Sequence, residues 1–303
     1  MLERMRVDEF LTALLSIVQP LAPIDLPLLD AHGATLAEDI FAGERLVLKA
    51  GSPIRSTTIG MAASIGRGQL PTRPQPRVVV ISAGPDLVEP GNLISGTQEF
   101  ETNSWQLTTI VREIGGVGFR VHSIPDDEEE LKDIVEDQLV RADLIVISGE
   151  QHDESFDLIT SVLQELGEIT IVEPALDESG RHNFGTIGPD KTPVVTLPGD
   201  PIAAYLSSEL FIRPMIRTMF GSSVIHRHIV KAQLTENVES PIGKTSLIRA
   251  NLGNSSPLTV TPLAEQEHFA TLADAHALIA ISADSPGAIK GESVDVMILE
   301  RIS

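Results

Sequence analysis

Residues 77–86 read RVVVISAGPD, residues 144–149 read LIVISG and residues 193–201 read PVVTLPGDP. Each is a short apolar run, rich in β-branched side chains, that ends at glycine or proline. Runs without polar alternation suit strands buried on both faces of a parallel sheet. Helical stripes lie between them: Leu107, Ile110, Val111 and Ile114, stopped by Gly115 and Gly116; Leu131, Ile134, Val135 and Leu139, after an acidic start at Asp126; and a third over 155–166. Residues 117–124 read as a further strand. Alternating strands and helices predict right-handed crossovers and an α/β fold on a doubly wound, mostly parallel sheet. Ligands of such sheets sit beyond the carboxyl ends of the strands, here 82–86, 148–157 and 198–201.

On the N-terminal side, Val7, Phe10, Leu11, Leu14, Leu15 and Val18 recur at three- and four-residue spacing, an apolar stripe on one helix that Pro20 and Pro23 close. A short helix is expected over 28–38. Three prolines in 70–76 read as a linker. On the other side, Leu210, Phe211, Met215 and Met219 read as core, with a helix kink at Pro214. After Gly221, short segments at 226–232, 245–250, 258–262, 277–281 and 294–299 read as a small all-β domain. The expected organisation is therefore an N-terminal helical and extended segment over 1–70, an α/β domain over 71–222 and a C-terminal β domain over 223–303. The N-terminal stripe has little of its own segment to pack against, which predicts a homodimer joined through that segment; the competing account is that the stripe folds back onto the α/β domain of its own chain, leaving a monomer.

Composition narrows the function classes. The chain has 303 residues, 42% apolar and 21% charged, enough to bury a sizeable core. Its 43 acidic against 22 basic residues give a formal charge of −21, which disfavours nucleic acid and anionic membrane surfaces. Without cysteine there is no disulfide, thiolate metal site or cysteine nucleophile. The apolar stretch near the N-terminus is interrupted by Asp8, Glu9 and Thr12 and reads as neither signal peptide nor membrane span. The expected location is the cytoplasm.

The loops SAGPDLVEPG from Ser82, SGEQHDESFD from Ser148 and LPGDP from Leu197 resemble, in order and spacing, the TGDEL, GGVSxGxxD and LPGNP motifs of the molybdopterin molybdenumtransferases, the family of the gephyrin E-domain. ETNSWQL from Glu101 is similar to the family's DSN segment, and LADAHALI with GESVDV to its C-terminal β domain. The resemblance implies a part in molybdenum cofactor biosynthesis, with molybdopterin and Mg²⁺ as the ligands if the activity is kept. Carried over position by position, it implies a ligand site at Gly84, Asp86, Asn103, Ser104, Ser148, Gly149, Pro198, Gly199, Asp200 and Pro201. It also implies catalytic and metal-binding roles for Glu101 and Asp157.

Several residues depart from the family pattern. LAEDI runs straight into FAGERL, where the family carries an inserted domain and a catalytic PPxxxSAMDGY stretch. Glu150 replaces a loop glycine, Asp153 and Glu154 add charge beside it, Asp177 stands where the family's KPGKP has lysine, and Asp200 replaces asparagine. Carboxylates beside a phosphate pocket repel the ligand by on the order of a kilocalorie each. These changes predict a catalytically degenerate homologue acting as a dimeric scaffold for another protein. The alternative is an active insertase that transfers molybdate to adenylylated molybdopterin. Glu101 and Asp157 have two open readings, hard-cation ligands or a surface acid and a helix N-terminal carboxylate. His226 and His228 lack a third ligand, and Ser82, Ser104 and Ser148 lack a histidine and acid at triad spacing. Gly199 reads as a strand-to-helix turn needing positive φ.

Overall fold

A computed structural model describes residues 2–121, 127–149 and 153–299, with side chains omitted at 153–155. Seven strands form the main sheet: β1 (Leu2–Met5), β2 (Arg77–Ser82), β3 (Val117–Arg120), β4 (Leu144–Ser148), β5 (Gly167–Pro174), β6 (His182–Ile187) and β7 (Thr192–Leu197). Their spatial order is β1-β5-β6-β7-β4-β2-β3. Neighbours run parallel except around β6, which is antiparallel to both β5 and β7. The sheet is thus α/β and mixed. The β5–β6 hairpin and the edge strand β1 were not legible as apolar runs.

Each face of the sheet has its own core. Val78 and Val80 point to the side covered by α1 (Val7–Ser16) and α2 (Asn103–Ile114), while Val79 and Ile81 point to the side covered by α3 (Glu128–Leu139) and α4 (Asp153–Leu166). This two-sided burial is what the unbroken apolar run on β2 required. Gly115 ends α2 at a φ of 105°, a left-handed cap that other residues resist. Asp127 caps α3, its side chain accepting from the Glu130 N–H. Residue Asp126 and the end of the expected 117–124 strand lie outside the described residues.

The apolar stripe of α1 finds its partner within its own chain. Phe10, Leu14 and Val18 are buried in the same cluster as Val78 and Val80. The Phe10 ring lies 4.7 Å from Phe211, 5.4 Å from Phe184 and 5.5 Å from His182, centroid to centroid. The first 20 residues therefore belong with the α/β sheet rather than with the extended segment after them, while Val7, Leu11 and Leu15 of the stripe are only partly buried.

Residues 24–73 pack around a small core of their own, with Leu36, Ile40, Ile54 and Leu70 buried. The helix expected over 28–38 does not form. Gly33 turns the chain at a φ of 83°, and Thr35–Leu36 pairs with the strand Gln69–Arg73. The expected linker over 70–76 is partly that strand, which also pairs with Ile24–Pro27. Pro71, opposite Asp25, contributes to the pairing through its carbonyl, which accepts from the Ala37 N–H at 2.8 Å. Residues 40–48 form a hairpin, Ile40–Ala42 against Arg45–Leu48, turned at Gly43 with a φ of 63°.

Beyond the sheet, α5 (Pro201–Ser207) runs through a π-helical stretch, Ser208–Ile212, into α6 (Arg213–Met219). The expected irregularity near Pro214 is this widened turn, with the proline in the first turn of α6, where its missing N–H costs nothing. The five segments expected after Gly221 are strands β8 (Ile229–Leu234), β9 (Ser246–Gly253), β10 (Thr259–Pro262), β11 (Ala277–Ile281) and β12 (Ser293–Ile298), closed as a barrel in the order β8-β10-β9-β11-β12. Glu209, fully buried on the π-helical stretch, ties the barrel to the sheet by accepting from both Arg213 and Arg227. Burial alone would raise its carboxyl, but the hydrogen bonds from Arg227 and Arg213 outweigh burial and hold it below its ordinary value. Among the described residues no helix is long and apolar enough to cross a membrane.

Two outcomes follow from this packing. Phe10→Ala should lower unfolding stability by about 3–5 kcal/mol, because three aromatic neighbours lose their common partner; urea denaturation measures it, and a loss below about 1 kcal/mol contradicts it. The second concerns His182, whose Nδ1–H donates to the Thr196 carbonyl and whose Nε2 accepts from the Ser179 hydroxyl. Desolvation lowers the imidazole to about 4, below its unfolded value, so the unfolded chain binds the extra proton between roughly pH 6.5 and 4. Stability is therefore present above that window and lost by on the order of 3 kcal/mol as pH falls through it. His182→Gln should flatten this part of the pH profile relative to the unaltered chain.

Candidate functional site

The register of the sheet brings three loops level. Ser148, the last residue of β4, pairs with Ser82 at the end of β2 on one side and with Leu197 at the end of β7 on the other. From β2 the chain crosses to β3 by way of α2, then returns past β2 to β4 by way of α3 on the opposite face. The carboxyl ends of β2 and β4 are thus a topological switch point, the place where open α/β sheets form a crevice.

Asn103, the first residue of α2, closes that crevice. Its Nδ2 donates to Ser148 Oγ at 2.8 Å and to the Gly199 carbonyl at 2.6 Å, and Ser148 Oγ donates to the Pro198 carbonyl at 3.1 Å. One amide thereby joins the helix to the loops after β4 and β7. Its Oδ1 is buried and has no hydrogen-bond partner among the described residues. A cavity of about 130 Å³ opens here, lined by Ser82, Glu101, Asn103, Gly149, Gly199 and Pro201 among others. Asn103 thus lines the cavity while its Oδ1 stays buried and unmet, a polar group that ordinarily calls for a partner.

Glu101 is held by a short parallel pair, Leu87–Val88 against Glu99–Phe100, and by its N–H donating to the Val88 carbonyl at 2.8 Å. It is 1% exposed. Its Oε1 accepts from Ser82 Oγ and from the Ser104 N–H, both at 2.7 Å; its Oε2 accepts from Ser104 Oγ at 2.5 Å and faces Arg120 Nη2 at 3.3 Å. Arg120, at the end of β3 and 7% exposed, also donates from Nε to Ser104 Oγ at 2.6 Å and forms an ion pair with Glu89. The guanidinium lies 4.2 Å from the Trp105 ring centroid.

Other expected site residues fall differently. Asp86 Oδ1 accepts from the Thr97 hydroxyl at 3.1 Å, and Gly84 has a φ of 155° that favours glycine. Asp200 caps α5 by accepting from the Ala203 N–H at 2.8 Å, followed by Pro201 in the first turn. Gly199 is not among the positive-φ glycines, so the turn does not demand glycine for that reason. Its carbonyl contact with Asn103 is what marks the position. Asp157 is 73% exposed, on α4, and pairs with Arg181 at 3.6 Å, while Arg181 stacks 4.3 Å from the Phe156 ring centroid. Asp177 does not face the crevice but accepts from Ser246 of the barrel at 3.0 Å. Glu150 lies outside the described residues, as do the side chains of Asp153 and Glu154.

Glu101, one of the expected metal pair, does not fit a hard cation. Such an ion takes several open oxygen ligands, yet all four acceptor positions of the Glu101 carboxylate are engaged, one by a guanidinium. Asp157, largely exposed, has Arg181 beside it at 3.6 Å, and no group of three or more histidine, aspartate or glutamate side chains suited to a metal exists among the described residues. Glu101 is equally not the surface acid of the other reading. Sequence reasoning missed Arg120, a single basic residue closing an apolar strand, because nothing in its neighbours' spacing marks the carboxylate 19 residues away.

Two family models match the chain: "Probable molybdopterin binding domain" over residues 79–218 and "MoeA C-terminal region (domain IV)" over 231–299. The chain is 31% identical over 279 residues to molybdopterin molybdenumtransferase 1 of Mycobacterium tuberculosis, covering 89% of this chain and 65% of that protein. It is 32% identical over 273 residues to molybdopterin molybdenumtransferase 2 of the same organism, covering 88% and 66%. It therefore spans just under two thirds of the length of these relatives. A molybdopterin biosynthesis MoeA protein from Pyrococcus horikoshii OT3 has the same fold at a TM-score of 0.79 and 17% identity, covering 98% of this chain and 100% of that one. A molybdenum cofactor biosynthesis protein from Pyrococcus furiosus matches at a TM-score of 0.76, 21% identity and the same coverage. The two family models and the two Mycobacterium tuberculosis relatives show that the chain belongs to the molybdopterin molybdenumtransferase family.

Proposed function

We propose that this chain serves molybdenum cofactor biosynthesis as a catalytically degenerate homologue that works as a dimeric, protein-binding scaffold. The observation that carries the degenerate half is the Glu101 carboxylate, which keeps no open acceptor with which to hold a metal or a reacting group. The short hairpin turned at Gly43 supports it, because it stands where the family resemblance puts an inserted domain. A second reading, active transfer of molybdate to adenylylated molybdopterin, is favoured by the intact clamp of Asn103 and its open Oδ1.

Binding by adenylylated molybdopterin, measured by calorimetry beside molybdate alone, separates the two. The degenerate reading expects dissociation constants weaker than micromolar for both; a micromolar or tighter value, with molybdate consumed in a turnover assay, establishes the second reading. Asp177→Lys should not restore affinity, because this side chain serves the barrel junction rather than the crevice.

The dimer seam in this proposal is the segment 24–73, where Ile24, Leu29, Phe41 and Leu46 are exposed. Covering such side chains contributes roughly 1.5–3 kcal/mol each when burial is complete. Light scattering at micromolar concentration should give twice the chain mass, and Phe41→Asp with Leu46→Asp should return it to about 32.6 kDa. A mass near 32.6 kDa for the unaltered chain rejects the dimer.

A further inference from the structure

We infer that Arg120 is the built-in cation of this site: its guanidinium holds the Glu101 carboxylate where the family resemblance puts a hard divalent ion, and the site takes no such ion. A carboxylate offers about four acceptor positions. Ser82 Oγ, the Ser104 N–H, Ser104 Oγ and Arg120 Nη2 occupy them in pairs, two on each oxygen. Ser104 Oγ is itself fixed in its donor role, because Arg120 Nε donates to it at 2.6 Å. A metal would therefore have to displace either the guanidinium or the serine.

Further contacts and burial keep Arg120 in place. Glu89 shares its Nη2, the indole of Trp105 lies 4.2 Å beneath it, and only 7% of its side chain is exposed. Planar, permanently charged and weakly hydrated, a guanidinium satisfies two carboxylates at lower desolvation cost than a tightly hydrated divalent ion. Removing it leaves Glu89 and Glu101 as neighbouring carboxylates with open oxygens, the ordinary beginnings of a cation site. The inference rests on reading this crevice as the ligand site, and its test uses Mn²⁺ alone, so that failure to bind molybdopterin does not affect the outcome.

Trp105 is the only tryptophan in the chain, so its fluorescence reports this site and no other. Mn²⁺ is titrated into the full-length chain and into the Glu101→Gln, Arg120→Ala and doubly substituted variants. Indole quenching and the electron spin resonance of free Mn²⁺ are followed together. The unaltered chain and Glu101→Gln should give indistinguishable curves, showing that Glu101 is not a ligand. Arg120→Ala should bind Mn²⁺ on the order of tenfold or more tightly, since an adjacent positive charge no longer opposes the ion, and the double substitution should abolish that gain. A Mn²⁺ site in the unaltered chain that Glu101→Gln removes overturns the inference. So does a folded Arg120→Ala variant with no gain. If Arg120→Ala fails to fold, the comparison of the unaltered chain with Glu101→Gln decides alone.

Discussion

The hydrogen bonds that saturate the Glu101 carboxylate set the character of this protein's crevice. A buried carboxylate survives only if its charge is paired and its oxygens are satisfied. Here the partners come from three separate places: Ser82 ends β2, Ser104 opens α2 and Arg120 ends β3. The network therefore fixes the N-terminus of α2 against the sheet. With α2 fixed, Asn103 reaches the loops after β4 and β7, and the cavity acquires its shape. A side chain that the family resemblance offers as a reacting or metal-binding group is, in this chain, the bracket that holds the site together.

The same logic of internal satisfaction recurs at the other junctions. On the α1 stripe, wide enough to suggest a subunit interface, Phe10 is covered by Phe184, His182 and Phe211 of its own chain. Asp177 bonds the barrel residue Ser246, and Arg213 and Arg227 both serve Glu209. The stripe and Asp177 looked available because sequence shows a residue's chemistry without its partner. Exposed apolar residues remain on several elements, Ile24, Leu29, Phe41 and Leu46 of the segment 24–73 among them.

Much of the fold could be read from residue patterns. The unbroken β-branched runs at 78–81 and 144–147 meant burial on both faces, and the sheet provides it. Leu107, Ile110, Val111 and Ile114 are all buried on α2, and the five barrel strands fall close to the expected segments. Failures came where tertiary pairing overrode local preference. Residues 28–38 carry helix-compatible leucines and alanines, but Gly33 and the pairing of Thr35–Leu36 make them a turn and a strand. Strand β6 was missed because Gly185 and His182 interrupt its apolar pattern while the strand is buried between two neighbours. At the site, the family resemblance put Asn103, Ser148 and Gly199 together, and the fold brings these three into hydrogen-bonding range. The engagement of Glu101 did not, because it depends on Arg120, which only the β2–β3 pairing brings into range.

A crystal structure of the full-length chain grown in MnCl₂ and recorded at the manganese absorption edge tests the central claim most directly. The account predicts no anomalous peak bonded to Glu101, with the Arg120 guanidinium ordered between Glu101 and Glu89. A peak bonded to the Glu101 carboxylate, with Arg120 turned away, would contradict it.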